Sequence, residues 1–270
     1  EDTPLMLAVE QGHMGIAQVL VDAGAHVDFP KHATGSTMLM TAASTGSTGI
    51  MQRLIAIKAS VSATDKQQRS ALHYAAAQGN SDSAQVLLDS GADADAQDLE
   101  GRTALCIASS QGHAEVLDRL IAAKASVDAQ DKGGNTALML AADAACAQAL
   151  VDAGAKLDVC NADGDTALAL AAAQGRVAVV QTLVSAKAAL FVRNQSGQTP
   201  LALAGKNNRG EVVQVLSRAA DTRGNTPLMM AAAGGDVALM NVLLRVDVSL
   251  DDKNDEDETA LLLAVKHGHK

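Results

Sequence analysis

A short motif returns nine times along this chain, and no other feature constrains its fold as tightly. Thr or Ser comes first, then Pro, Ala or once Met, then Leu. It stands at Thr3-Pro4-Leu5, Thr37-Met38-Leu39, Ser70-Ala71-Leu72, Thr103-Ala104-Leu105 and Thr136-Ala137-Leu138. It returns at Thr166-Ala167-Leu168, Thr199-Pro200-Leu201, Thr226-Pro227-Leu228 and Thr259-Ala260-Leu261. Successive copies are 34, 33, 33, 33, 30, 33, 27 and 33 residues apart. Self-similarity at a fixed period marks a chain built from one supersecondary unit used over and over.

Each copy reads as a helix start. The Thr or Ser hydroxyl can accept a hydrogen bond from an unpaired amide of the first turn. Proline at the next position loses nothing, because its missing N–H has no partner there anyway. Pro4, Pro200 and Pro227 occupy that position. About nine residues on comes a breaker: Gly12-His13, Gly79-Asn80, Gly112-His113, Gly175-Arg176, Gly268-His269. A second apolar helix follows, as in Ala84-Gln85-Val86-Leu87-Leu88, and ends near Gly-Ala or Lys-Ala. A polar stretch such as Asp131-Lys132-Gly133-Gly134-Asn135 then leads to the next motif. One unit of helix, turn, helix and hairpin-like loop cannot bury its own apolar faces, so units must stack.

Composition suits thin layers. Of 270 residues 48% are hydrophobic, yet only Phe29, Tyr74 and Phe191 are aromatic. A core of Ala, Leu, Val, Ile and Met packs closely spaced helices more readily than one thick centre. The net charge of -10, with no basic stripe, argues against nucleic acid as a ligand. No run of about 20 apolar residues is present for membrane insertion. The three cysteines (Cys106, Cys146, Cys160) are too few for a disulfide framework, which favours an intracellular, cytoplasmic setting. No signal peptide is visible at the first residue. The chain lacks an initiator Met and starts and stops inside a repeat, so a segment of a longer protein is expected.

Thr-Pro-Leu-x-x-Ala, Gly-His, Leu-Leu and Gly-Ala-Asp at a 33-residue period resemble the ankyrin repeat, over residues 1–270. The resemblance implies an all-α, ankyrin-type repeat solenoid of stacked helix-turn-helix units with projecting finger loops. It implies one array over 1–270, anchored at 3, 37, 70, 103, 136, 166, 199, 226 and 259. It also implies protein recognition through finger tips and inner helix faces.

Departures from the pattern carry information. The family's His after Thr-Pro-Leu survives only as His73; Met6, Met40, Cys106, Met139 and Met229 replace it elsewhere. Three residues are missing between Thr136 and Thr166, where the turn between helices should be. Six are missing between Thr199 and Thr226, which should shorten that finger and shift the stack. The residue closing the second helix alternates: Gly24, Lys58, Gly91, Lys124, Gly154, Lys187. Glycine takes a left-handed cap without steric cost, whereas lysine is strained there by about 1–2 kcal/mol. Either alternate loops differ in conformation, or the lysines offset the strain by their favourable place at a helix C-terminus.

Chemistry-bearing patterns are few. Neither a Gly-x-x-x-x-Gly-Lys-Ser/Thr loop nor a Gly-x-Gly-x-x-Gly turn occurs. The cysteines lack Cys-x-x-Cys spacing, the methionines read as core, and His267-Gly268-His269 repeats the array's own turn signature, so no metal or cofactor is expected. The acidic run 251–258 reads as a solvated finger, with a dock for a basic partner segment or a weak cation site as the functional alternatives.

The expected function is a non-catalytic protein–protein interaction scaffold. The alternatives are a regulatory array of a larger enzyme or channel, and a structural subunit of a large assembly. Finger-tip contacts are expected at Lys66, Gln67, Arg69, Glu100, Arg102, Lys132, Asn135, Asp163, Asp165, Gln195, Gln198, Arg223 and Asn225. Inner-helix contacts are expected at Gln78, Gln111, Gln174, Lys206 and Asn207. Phe191, with Leu99 on another finger, is a candidate anchor, since aromatics concentrate in interface cores. The competing expectation is that Phe191 folds back on its neighbour.

Overall fold

The computed structural model describes residues 3–11, 13–30, 34–245 and 248–269, the side chains of 9, 10, 14 and 238 excepted. Among these residues there are seventeen helices and no strand. They form two compact units, one of residues 1–141 with 152–154, the other of 142–151 with 155–270.

The first unit holds α1 (Pro4–Glu10), α2 (Met14–Asp22), α3 (Met38–Ser44), α4 (Thr48–Ala56), α5 (Ala71–Gln78), α6 (Ser81–Asp89), α7 (Ala104–Gln111), α8 (Ala114–Ala122) and α9 (Ala137–Leu140). First helices stack on first helices, α3 on α5 on α7 on α9. Second helices do the same, α4 on α6 on α8. The second unit holds α10 (Ala144–Asp152, less its last residue), α11 (Ala167–Gln174), α12 (Val177–Ser185), α13 (Pro200–Lys206), α14 (Gly210–Ser217), α15 (Pro227–Gly234), α16 (Val237–Leu243) and α17 (Ala260–Lys266). There α11 stacks on α13, α12 on α14 and α15 on α17.

The helix starts follow the motif. The hydroxyls of Thr3, Thr37, Thr103, Thr136, Thr166, Thr199, Thr226 and Thr259 each accept the amide three residues on, at 3.2–3.4 Å. At Ser70 the hydroxyl turns instead to His73 Nδ1, 2.9 Å away. That ring nitrogen also accepts the Ser70 amide at 3.1 Å, and Nε2 bonds the Arg102 carbonyl at 3.1 Å. Where methionine replaces histidine its sulfur accepts the same amide: Thr37 N–H to Met40 Sδ and Thr226 N–H to Met229 Sδ, both 3.3 Å. Met6, Met40, Met139 and Met229 are buried, and no group of three or more His, Cys, Asp or Glu able to hold a metal occurs among the described residues.

The Gly-His turn is a packing device between repeats. Gly79 is left-handed (φ 73°), and a Cβ on it would stand 2.6 Å from His113 Nδ1 of the next repeat. Gly235 is covered in the same way by His269, whose Nε2 bonds the Ala233 carbonyl at 3.0 Å. Asn80 fills the role over Gly46 and donates to the carbonyls of Ala43 and Ser44. Gly12, in the first such turn, lies outside the described residues.

The alternating caps share one conformation. Lys58, Lys124 and Lys187 have φ of 69°, 64° and 67°, in the same left-handed region as Gly24, Gly91 and Gly154 at 91°, 84° and 83°. Both kinds close the same pair of bonds, as in Lys124 N–H to Ile121 O with Ala125 N–H to Leu120 O, and Gly91 N–H to Leu88 O with Ala92 N–H to Leu87 O. The loops do not alternate in backbone shape.

The two deletions fall in different places. In the 136–166 repeat the turn is kept and the first helix is cut: α9 has 4 residues where α7 has 8. Asp143 then supplies a side-chain cap to the Cys146 amide at 2.9 Å, at the start of α10. In the 199–226 repeat the loss falls between helix and finger. Asn194 stands nine positions after Ser185, but Asp221 only four after Ser217, and α14 is one residue shorter than α12. The packing shifts there as well: α15 meets α14, and a Cβ on Gly205 of α13 would face Val242 of α16 at 3.5 Å.

Candidate partner-binding surface

Seven loops share one built geometry. Each opens with an Asp or Asn five residues before the motif: Asp65, Asp98 and Asp131 in the first unit, Asn161, Asn194, Asp221 and Asn254 in the second. The amide of that residue donates to the carbonyl four residues on, at 3.0–3.1 Å in all seven. Its side-chain oxygen accepts the amides two and four residues on, as Asp98 does from Glu100 (3.0 Å) and Arg102 (2.8 Å). This is the turn an Asx side chain favours. The fourth residue is left-handed: Gln68, Gly101, Gly134, Gly164, Gly197, Gly224 and Asp257.

Fingers also tie to one another within each unit. Leu99 N–H donates to Gln67 O and Lys132 N–H to Glu100 O, both at 2.9 Å. Gln195 N–H donates to Asp163 O and Asp255 N–H to Arg223 O, both at 3.0 Å. A Cβ on Gly101 would lie 2.9 Å from the Lys132 amide, so the close approach of these two fingers requires glycine.

The candidate residues divide by this frame. Lys66, Gln67, Leu99, Glu100, Lys132, Asp163, Gln195 and Arg223 occupy the second or third position of a finger, and all are exposed. Arg69, Arg102, Asn135, Asp165, Gln198 and Asn225 occupy the fifth, where they are half-buried or buried, and all but Gln198 brace the finger through a side-chain bond. Arg69 and Arg102 clamp Asp65 and Asp98 in two-pronged ion pairs, at 2.8–2.9 Å. Arg69 also lies over the Tyr74 ring, 4.7 Å from its centre, and donates to its hydroxyl. Asn135 and Asn225 reach Asp131 and Asp221 at 3.1 Å, and Asp165 accepts from Asn194 of the next finger at 2.9 Å.

Burial pushes the Asp65 and Asp98 carboxyls up. The hydrogen bonds from Arg69, Tyr74 and Gln67, and from Arg102 and Glu100, together outweigh it and hold both below the usual carboxylate range. Burial lowers the His73 pKa, favouring the neutral ring within its three hydrogen bonds.

On the first helices Gln78, Gln111 and Gln174 are each the last residue of α5, α7 and α11, and all are exposed. Lys206 and Asn207 are exposed at the end of α13, and Asn207 bonds the Ala173 carbonyl at 3.1 Å. Leu99 is 41% exposed in the first unit. Phe191, in the second, is half-buried in a wall shared by two cavities.

The Asx finger base is not among the residues singled out from the sequence. Its signal was available as an Asp or Asn five residues before seven of the motifs.

Comparison with known proteins agrees with this architecture. The family described as "Ankyrin repeats (3 copies)" matches residues 5–98, 72–159 and 142–222, and "Ankyrin repeat" matches 223–255. Among solved structures the chain is similar to the ankyrin repeat domain of Bcl-3, itself described as a unique member of the IkappaB protein family. The TM-score is 0.68 and the identity 28%, over 79% of this chain and 98% of that one. No curated protein matches the chain. Ankyrin repeats generally mediate protein–protein interaction and are generally non-enzymatic. No helix among the described residues is long and apolar enough to cross a membrane.

Proposed function

Because the chain belongs to the ankyrin repeat family, we propose that it is a non-catalytic scaffold that holds a partner protein on its finger tips and first-helix faces. One observation carries this reading. Seven fingers share one hydrogen-bonded backbone, yet no two carry the same pair of residues at the second and third positions, and all of these are exposed. They run Lys66-Gln67, Leu99-Glu100, Lys132-Gly133, Ala162-Asp163, Gln195-Ser196, Thr222-Arg223 and Asp255-Glu256. A frame held constant beneath changing side chains presents a surface without rearranging to do so, which keeps the ordering cost of binding low.

The test is affinity capture from native extract with the chain as bait, salt washing and mass spectrometry. A partner retained at fixed stoichiometry, and lost when tip residues such as Lys66, Gln67, Leu99 and Glu100 are changed to alanine, supports the scaffold. A chain that retains nothing contradicts it.

A further inference from the structure

A cavity of about 530 Å³ opens in the second unit. It is lined by residues of the fingers 221–225 and 254–258 and of the helices α15 and α17. Phe191, Met230, Ala233 and Leu263 give it apolar surface.

One position in the lining departs from the regular repeats. The eighth residue after the motif's Thr or Ser is Gln78, Gln111 and Gln174 in three regular repeats, and Gly234 here. Gly234 sits in a helix, not in a left-handed turn, and a Cβ on it meets nothing within 4 Å. Neither backbone conformation nor close packing requires glycine at this place. Glycine leaves this part of the cavity wall without a side chain.

The finger that forms one wall of the cavity is acidic. The run 251–258 carries six carboxylates and one lysine, a net -5 within a chain of -10. Asp251, Asp252, Asp255, Glu256 and Asp257 are exposed. Of the cations lining the cavity, Arg193 reaches Asp236 at 3.2 Å and Lys266 reaches Glu258 at 2.7 Å. The lining itself balances, with Asp236, Glu256 and Glu258 against Arg193, Arg223 and Lys266, so the excess negative charge lies on the rest of the finger run beside it.

We propose that this cavity seats a basic partner segment: one large apolar side chain enters beside Phe191, Met230 and Leu263, and flanking lysines or arginines face Asp255, Glu256 and Asp257. The proposal rests on the protein-binding reading above and names the partner's chemistry. Burial of the apolar group supplies affinity, and the acidic run supplies steering and a dependence on salt.

The test uses the whole chain and random peptides displayed on phage, followed by titration of a selected synthetic peptide. Selected peptides are expected to be net positive with a single Leu, Phe or Trp, and to bind more weakly as salt is raised. Gly234→Gln, which restores the glutamine of the regular repeats, is expected to weaken them at least about tenfold while keeping the helical circular dichroism. Glu256→Gln combined with Asp255→Asn is expected to remove most of the salt dependence. Neutral or acidic peptides, binding unchanged in Gly234→Gln, or no enrichment at all would overturn the proposal. If the native-extract partner is captured equally by Gly234→Gln, the scaffold reading stands and this one falls. If nothing is captured by either chain, the scaffold reading itself fails.

Discussion

Asp95 accepts hydrogen bonds from both the backbone amide and the hydroxyl of Ser126, at 2.7 and 2.6 Å, one repeat further along the chain. Asp28 holds the Ser60 amide with both carboxylate oxygens at 3.0 Å, and Asp158 holds the Ala189 amide at 2.8 Å. Each acceptor stands four residues after Gly24, Gly91 or Gly154, and each donor two residues after Lys58, Lys124 or Lys187. Each of these three bonds runs from a lysine-capped loop to the glycine-capped loop before it, in step with the two-repeat alternation of the caps. Asp95→Ala is expected to lower stability by about 1 kcal/mol, because it leaves the Ser126 amide without its charged acceptor. Ser126→Ala keeps the amide bond and should cost less. Urea midpoints of the two variants check the order, and equal losses would count against it.

The lysine caps hold strain that glycine would not. Lys124 has φ 64° with an exposed side chain, a conformation that costs a non-glycine residue about 1–2 kcal/mol. Its place after a helix C-terminus returns about 0.3–1 kcal/mol of that. Lys124→Gly is therefore expected to stabilise by roughly 1 kcal/mol, and Lys58→Gly and Lys187→Gly likewise. Thermal unfolding at low and high salt separates the two effects: the gain should grow with salt, as the dipole interaction is screened. A loss of stability at all three positions would contradict the assignment of strain.

Much of this was legible in the residues alone, and the reasons are local. Thr103 or Thr166 announces a helix because a hydroxyl beside an apolar, proline-free run has one favourable use, and that use depends on neighbours within four residues. The finger base at Asp98 was equally local but went unread, since Asp in a polar loop looks like any solvated carboxylate until its accepted amides are seen. Arg69 and Arg102 sit at finger positions that the sequence pattern marks for contact. Their bonds to Asp65 and Asp98 depend on where a side chain folds back, which a sequence does not print. The 136–166 deletion was placed in the turn, whereas it removes the last turn of the first helix. Sequence counts missing residues but does not say that Asp143 can cap α10 and so keep a connection that the shorter helix needs. The cavity at Gly234 depends on three fingers and two helices meeting, and no local pattern encodes it.

Acid is expected to unfold the first unit in two stages. Burial lowers the His73 pKa, so its neutral form is favoured by folding. That contribution is complete above the unfolded value of about 6.5 and is lost as pH falls from there toward the depressed folded value. Asp65 and Asp98 are also lowered, but as carboxylates they contribute above their unfolded value of about 3.9 and lose that contribution as pH falls through their folded values. His73→Met should abolish the first stage and keep the second, because methionine at this position accepts the same cap amide in the Met40 and Met229 repeats. Urea midpoints between about pH 7 and 5 decide the matter, and a wild-type chain with no change across that window would sink the role given to His73.

Ser83 offers the reverse case, a polar atom that the fold does not use. It lies in α6, fully buried, and its hydroxyl has no hydrogen-bond partner. The same place in other second helices holds Val116, Cys146, Val179, Val212 and Leu239. An unpaired buried hydroxyl costs about 1–3 kcal/mol of desolvation, so Ser83→Ala is expected to raise stability by about 1 kcal/mol. Ser83→Val adds apolar burial but also volume, and close-packed helices answer added methyls with strain. Its gain should therefore equal that of alanine only if the α4–α6–α8 stack relaxes. Thermal midpoints of the two variants settle both points: a destabilised Ser83→Ala would mean that the hydroxyl is satisfied in solution, and a destabilised Ser83→Val beside a stabilised Ser83→Ala would mean that the serine is kept for its size.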